Sequence, residues 1–145
     1  MNGSQTTAAP AAMAFQVLEA AREVEARLES ALGGVGLSLA KFGVLARLME
    51  AGEPLPLGSL AERCSCVRSN MTQLMDRLEA ERLVERVQEP KDRRSVLAAL
   101  TEAGRERYTE AERIMETADQ DLFASLGEVE RTALKLLLQR FGKTG

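Results

Sequence analysis

Apolar side chains recur at three- and four-residue spacing through most of the chain, which is the pattern of helices with one buried face. The first run predicts a helix over residues 11–32 and consists of Met13, Val17, Ala21, Val24, Leu28 and Leu32. The glycines of "LGGVG" end this helix, and Ser38 is a favourable N-cap for a second helix that Gly52 ends. A short helix over about 57–64 and, after a tight turn, a fourth helix to about Ala80 complete the first part of the chain.

The pattern changes to short strand-like runs between residues 83 and 100. The runs 83–88 and 95–100 flank a six-residue tip, "EPKDRR", and together they predict one β-hairpin. Thr101 then caps a long helix, and "SLGEVE" separates it from a last helix that carries Val129, Ala133, Leu136, Leu137 and Phe141. Along the long helix a seam with nearly heptad spacing is formed by Tyr108, Ala111, Met115, Ala118, Leu122 and Leu126. We expect this seam to pack against a partner chain.

This order of elements predicts a mainly α fold of the α+β winged-helix type, with six helices and one hairpin. A short helix, a tight turn and a second helix form a helix-turn-helix, and a hairpin behind it adds a wing. The 145 residues are expected to form one domain. Within it we assign residues 38–100 to a DNA-binding lobe and residues 1–10, rich in Ala, Thr and Ser, to a disordered tail.

The fourth helix has one apolar stripe and an opposite face of short polar side chains. Met71, Leu74, Met75 and Leu78 form the stripe. Asn and Gln can pair with adenine and Arg with guanine in the major groove, whereas Ser and Thr suit phosphates or base edges. The candidate DNA contacts of this helix are Arg68, Ser69, Asn70, Thr72, Gln73 and Arg77. An ordinary solvated face is the alternative, and Asp76, which lies on the same face, would repel phosphate.

The charge distribution neither demands nor excludes a nucleic-acid partner. The net charge is −3, but residues 58–94 carry +1 while the segments on either side carry −2 each. The chain has no histidine, no phosphate-binding glycine loop and no nucleophile beside a base, so we expect neither an enzyme nor a cofactor. It has no apolar run long enough for a membrane span and no secretory signal at its start, which favours a cytoplasmic protein without a membrane partner.

Two consecutive motifs carry a resemblance to a known family. "LAERCSCVRSNMTQLMDRLEAERLVER", followed by "DRRSVLAALTEAGRE", resembles the multiple-antibiotic-resistance regulator (MarR) family of winged-helix transcription regulators. The resemblance implies an obligate homodimer that pairs through the helices of 11–32 and 101–142. It also implies that Arg94 enters the minor groove of double-stranded DNA, that Asp92 pairs with a neighbouring arginine, and that Arg93 lies near the DNA backbone. Lys91, in the same tip, is a further candidate DNA contact. The chain departs from the family pattern at Val67, where a Ser or Thr cap is usual.

The family also binds small aromatic or anionic effectors between the dimer core and the DNA-binding lobe. In this chain that region would be lined by Phe15, Leu18, Arg22, Phe42, Arg47 and Met49. These residues could equally be ordinary core and surface residues. The resemblance therefore predicts a ligand-responsive repressor that binds a pseudo-palindromic operator as a homodimer, without naming its effector.

Cys64 and Cys66 replace small apolar residues in the turn before the fourth helix. Buried packing is the favoured interpretation because a reduced cysteine behaves as a small hydrophobic residue. The alternative is a thiol-based redox sensor, since a cysteine at a helix N-terminus can have a lowered pKa. Two thiols without a histidine cannot complete a tetrahedral metal site, so no metal is expected. A helical adaptor that does not bind DNA is a further alternative, but it leaves the basic hairpin unexplained.

Overall fold

The computed structural model describes residues 11–64 and 68–141, and it describes residues 68 and 69 by their backbone only. This part of the chain forms six helices and a small antiparallel sheet, in the predicted order and with one additional strand. The elements are α1 (Ala12–Gly33), α2 (Leu39–Ala51), β1 (Leu55–Pro56), α3 (Leu57–Arg63), α4 (Arg68–Ala80), β2 (Val84–Glu89), β3 (Asp92–Leu100), α5 (Glu102–Leu122) and α6 (Glu128–Phe141). The fold is a winged helix, as the sequence predicts. The proposed tail of residues 1–10 and the turn around Ser65 lie outside the described residues.

Local capping explains where α2 begins and ends. The Ser38 hydroxyl accepts a hydrogen bond from the Lys41 amide at 3.2 Å and so starts α2. Gly52 ends α2 in the left-handed conformation, with φ at +70°, and its amide donates to the Leu48 carbonyl at 3.1 Å. These are the residues that the sequence pattern indicates at both ends.

The sheet differs from the sequence prediction in two respects. First, the two-residue strand β1 pairs with β3, so the strand order is β1-β3-β2 rather than a lone hairpin. Second, the prediction of a six-residue tip over 89–94 is wrong. The strands continue to Glu89 and restart at Asp92, which leaves a two-residue turn.

The tip is short because the extra residues bulge from β3. Glu89 pairs with Asp92, whereas Gln88 pairs with Val96. Residues 93–95 therefore have no partner on β2, and they form a bulge of the kind that bends a strand and redirects its side chains. The wing thus carries its two arginines on this bulge rather than in an open loop.

The hydrophobic core lies between α2, α3, α4 and the sheet, and it closes against α5. The predicted apolar stripe of α4 is confirmed, because Met71, Met75 and Leu78 are fully buried. Their buried neighbours come from α1, α2, α3, β2 and α5, and include Leu32, Val44, Leu45, Leu60, Val84 and Ala111. This core fixes which face of α4 points away from the protein.

The segment over 100–104, "LTEAG", joins the end of α4 to the start of α5. The Thr101 hydroxyl accepts from the Gly104 amide at 2.9 Å and donates to the Arg82 carbonyl at 2.7 Å. The Thr101 amide donates to the Leu83 carbonyl at 3.1 Å. The "LTEAG" segment therefore caps α5 and binds the turn between α4 and β2 at the same time.

Part of the long-helix seam is used within the chain. Ala111 is buried, and Tyr108 and Met115 pack against the same core, so the first half of the seam is not available to a partner as the sequence analysis assumed. The exposed apolar surface lies instead on the first half of α1 and along α6. It comprises Met13, Phe15, Val17, Leu18, Val129, Leu136, Leu137, Leu138 and Phe141, with exposed fractions from 49% to 83%. No helix among the described residues is both long and apolar enough to cross a membrane.

Candidate nucleic-acid interface

The outward face of α4 presents polar side chains opposite the buried stripe. Asn70, Thr72, Gln73 and Arg77 are all exposed there, as the helical period predicts. The backbone of residues 68 and 69 belongs to α4, but the side chains of Arg68 and Ser69 lie outside the described part of the chain. Four of the six candidate contacts on this helix thus lie on one accessible surface.

The bulge of the wing is closed by side chains that bond to its backbone. Asp92 Oδ1 accepts from the Arg94 amide at 3.0 Å, and Gln88 Nε2 donates to the Arg93 carbonyl at 2.9 Å. The resemblance implied an ion pair between Asp92 and an arginine side chain, and none is present among the described residues. Asp92 instead orders the main chain, because its short side chain reaches an amide two residues ahead.

The exposed cations of the wing point away from the protein body. Lys91, Arg93 and Arg94 are exposed, and the described residues offer none of them a carboxylate within salt-bridge distance. Their charge is therefore available to a partner outside the chain. A guanidinium on a stiff, bulged strand is suited to a narrow groove of strongly negative potential.

Arg86 and two acids of α4 connect the helix to the wing, and the sequence analysis missed these contacts. Arg86 of β2 donates from Nη2 to Asp76 Oδ1 at 2.7 Å and from Nη1 to Glu79 Oε1 at 2.5 Å. The hydrogen bond to Asp76 raises the pKa of Arg86 above its ordinary value, with Glu79 adding to the effect. Asp76 is therefore an ion-pair partner rather than the bare repelling carboxylate that the sequence analysis expected. The signal that could have revealed this pair is an arginine on a strand that follows two acids on the preceding helix.

Comparison with known proteins places this geometry in a family. The MarR family model matches residues 37–96, which run from the start of α2 into β3. The uncharacterized HTH-type transcriptional regulator YkoM of Bacillus subtilis (strain 168) is 34% identical over 107 residues, covering 74% of this chain and 69% of that protein. The chain belongs to the MarR family. It is therefore a MarR-family transcriptional regulator.

Two solved structures share the fold over about nine-tenths of this chain. A mutant MarR from E. coli, crystallised with operator DNA, superposes with a TM-score of 0.81 at 23% identity, covering 89% of this chain and 92% of that one. CouR from Rhodococcus jostii RHA1, bound to p-coumaroyl-CoA, gives a TM-score of 0.78 at 26% identity, covering 92% and 93%. Because the E. coli MarR structure is only 23% identical to this chain, its similarity shows the fold alone.

The cysteine region of this MarR-family chain is only partly described. Cys64 is the residue that ends α3, its amide bonds to the Leu60 carbonyl at 2.9 Å, and its half-buried side chain packs against the core. This position agrees with the packing interpretation. Cys66 and Val67 lie outside the described residues, so the thiol-sensing alternative stays untested. No group of three or more metal-binding side chains occurs in the part of the chain that the structure describes.

The six candidate effector residues fall into two groups. Phe15, Leu18 and Arg22 are exposed on the first half of α1, whereas the other three lie on α2. Phe42 stacks on Tyr108 with ring centroids 5.3 Å apart, and burial raises the pKa of that tyrosine. Arg47 pairs with Glu50 on its own helix at 3.4 Å, and Met49 is half-buried.

A cavity of about 660 Å³ opens between α1 and α5, but none of the six residues lines it. Its walls include Arg27, Ser30, Glu110, Arg113, Ile114 and Asp121. Charged side chains of both signs therefore surround this cavity. The six candidates and this cavity are therefore separate places in the single chain.

Proposed function

We propose that the protein is a homodimeric repressor that binds a pseudo-palindromic operator, with α4 in the major groove and the wing in the adjacent minor groove. The observation that carries the proposal is the common exposure of two differently built surfaces, the polar face of α4 and the arginine bulge of the wing. A regulator of this kind acts where the DNA is, so we assign it to the cytoplasm.

We assign base recognition to the outward side chains of α4. Asn70 and Gln73 can each form a bidentate contact with adenine, and Arg77 can contact guanine or phosphate. Arg68 and Ser69, in the first turn of α4, are assigned to the DNA backbone, where amide groups at a helix N-terminus also favour phosphate. Thr72 is assigned to phosphate or to a base edge.

We assign backbone and groove contacts to the wing. Arg94 is the residue proposed to enter the minor groove, with Lys91 and Arg93 at phosphates and Asp92 as the residue that shapes the bulge. The lack of a carboxylate partner for these cations within the described residues supports this assignment, because a guanidinium already paired would bring little charge to DNA. Their contribution should be independent of base sequence and should depend on salt.

The exposed apolar residues of α1 and α6 support a dimer. Clustered exposed apolar side chains often mark a protein–protein interface, and Val129 and Phe141 are 83% and 68% exposed in the single chain. A two-fold dimer through these helices presents two copies of α4 to two half-sites, which is why the operator is expected to be pseudo-palindromic. The domain division proposed from the sequence, a lobe over 38–100 with helices on either side, matches this use of the chain.

The decisive experiment measures binding to the DNA upstream of the protein's own gene. Fluorescence anisotropy should show tight binding to one upstream fragment, weaker binding to a scrambled fragment of equal length, and two chains bound per site. Equal affinity for both fragments would contradict sequence-specific recognition. Affinity that does not change with salt would contradict the phosphate contacts.

Response to a small aromatic or anionic molecule is the second part of the proposal. It is supported by CouR, a solved MarR-family structure that contains p-coumaroyl-CoA. The candidate residues of α1 and α2 and the cavity between α1 and α5 are the places to look for such a molecule. A thermal-shift screen of phenolic acids, drugs and oxidants, followed by release of operator DNA by any hit, tests this part directly.

A further inference from the structure

One stripe of α4 faces the wing rather than the core. Thr72, Asp76 and Glu79 are spaced by four and three residues, so they lie in one line along the helix. The guanidinium of Arg86 spans this line, with Nη2 at 2.7 Å from Asp76 Oδ1 and 3.5 Å from the Thr72 carbonyl, and Nη1 at 2.5 Å from Glu79 Oε1. The Arg86 amide adds a bond to Glu79 Oε2 at 3.2 Å.

The strand that carries Arg86 is itself held firmly at its base. Arg86 is paired with Ala98, which is fully buried in the sheet, and Ala98 also pairs with Leu55 of β1. The anchored strand leads directly to the bulge with its arginines. The contacts of Arg86 therefore fix the angle at which the wing leaves α4.

These contacts also determine what Arg86 does not do. Its two terminal nitrogens are occupied by acceptors on α4, and its side chain is only 27% exposed. It offsets the negative charge of Asp76 and Glu79 on the side of α4 nearest the wing. An arginine engaged in this way is poorly placed to serve as a phosphate contact.

We infer that Arg86 is a positioning residue for DNA recognition, which holds α4 and the wing in the relative orientation that lets both engage one DNA duplex. The inference rests on the proposed function and adds a residue that touches no DNA. It requires the planar fork of arginine, because two different nitrogens bind two different carboxylates at once. A lysine at this position keeps the charge but cannot bind both acids with the same geometry.

Two variants separate positioning from simple electrostatics. Arg86→Lys leaves the net charge unchanged, so binding to scrambled DNA and the salt slope should both be preserved. Asp76→Asn/Glu79→Gln removes two negative charges and releases the arginine, so binding to scrambled DNA should tighten. If Arg86 has a positioning role, the preference for operator over scrambled DNA should fall in both variants, although the two variants affect binding to scrambled DNA differently.

The experiment measures operator and scrambled affinities by fluorescence anisotropy for the full chain at several salt concentrations. For Arg86→Lys we expect the operator-to-scrambled ratio to fall at least about fivefold, the lower end of what one base contact contributes to discrimination. Lys41→Ala is the matched control, because it breaks an ion pair with Glu81 in the turn that ends α4 but does not touch the wing. Its ratio should stay within about twofold of the parent. An Arg86→Lys ratio within that same range would overturn the inference.

A measurement without DNA keeps the inference testable apart from the proposed function. Amide hydrogen exchange in Arg86→Lys should become faster over 72–80 and 84–96 and stay unchanged in α1 and α6. Unchanged exchange over those two segments would overturn the positioning role. A parent protein that lacks preference for any upstream fragment would instead overturn the proposed function, while the exchange result would still decide whether Arg86 joins the helix to the wing.

Discussion

Replacing Gly104 by alanine should destabilise the protein, although alanine is normally the better residue inside a helix. Gly104 is buried in the first turn of α5. A Cβ atom at this position would lie 2.1 Å from the Leu83 carbonyl oxygen and 2.9 Å from Leu100 Cδ1. The nearest atom belongs to the backbone, and that oxygen already accepts from the Thr101 amide at 3.1 Å. The crowded carbonyl cannot move without losing this bond.

The loss of stability in Gly104→Ala depends on how far the start of α5 must move from the turn before β2. Carbon–oxygen contacts are ordinarily no shorter than about 3.3 Å, so the start of α5 and the turn before β2 must separate by about 1 Å. Loss of the amide hydrogen bond to the Leu83 carbonyl costs about 1 kcal/mol, and overpacking adds about 1–3 kcal/mol. The higher helix propensity of alanine offsets about 0.5–1 kcal/mol of this cost. The net destabilisation is therefore about 1–3 kcal/mol, or roughly 7 °C in Tm for a chain of this length.

The assay is urea unfolding followed by far-UV circular dichroism at one fixed protein concentration, because dimerisation makes stability depend on concentration. Gly43→Ala is the matched control. Gly43 lies inside α2, and a Cβ atom there meets nothing within 4 Å. That variant should be neutral or more stable than the parent by up to about 1 kcal/mol. Equal stability of the Gly104→Ala and Gly43→Ala variants would refute the argument from the carbonyl contact.

Three further predictions concern DNA binding, dimerisation and the cysteines. Arg94→Ala should weaken binding to operator and scrambled DNA alike and lower the log–log salt slope by about one unit per subunit, whereas Gln73→Ala should cost about 1–3 kcal/mol on the operator only. An unchanged salt slope in Arg94→Ala would show that the hairpin does not act as a wing. Removal of residues 128–145 should abolish specific DNA binding, and a truncated chain that stays folded and still binds its operator would contradict dimerisation through α6. Cys64→Ala/Cys66→Ala should bind DNA within a few-fold of the parent, and release of the parent by peroxide, reversed by thiol and lost in the double variant, would support thiol sensing instead.

The sequence predicts those features of the fold that depend on neighbouring residues. Ser38, Gly52 and Thr101 mark helix ends because capping involves atoms only three or four positions apart. The buried stripe of α4 follows from the helical period alone. Local chemistry of this kind is present in the sequence itself, and the order of elements that it defines was enough to indicate a winged helix.

Features that depend on distant residues were missed. β1 has two residues, one of them Pro56, and it is a strand only because β3 brings its edge alongside. The bulge at 93–95 arises from the register between β2 and β3, which no local pattern in "EPKDRR" reveals. The seam of α5 was assigned to a partner because its spacing cannot show that Tyr108 and Ala111 meet the core of the same chain.

The outward face of α4 is the clearest case in which the structure changes the functional argument. The helical period places Asn70, Gln73 and Arg77 on one flank of that face, and Thr72, Asp76 and Glu79 on the other. From the sequence alone, both flanks belong to one DNA-binding surface, on which Asp76 would repel phosphate. Because Arg86 binds the two acids of the second flank, we infer that these acids hold the wing, and we assign base recognition to the first flank and Thr72. An acid on a recognition helix is therefore weak evidence against DNA binding when a cation on the following strand lies within its reach.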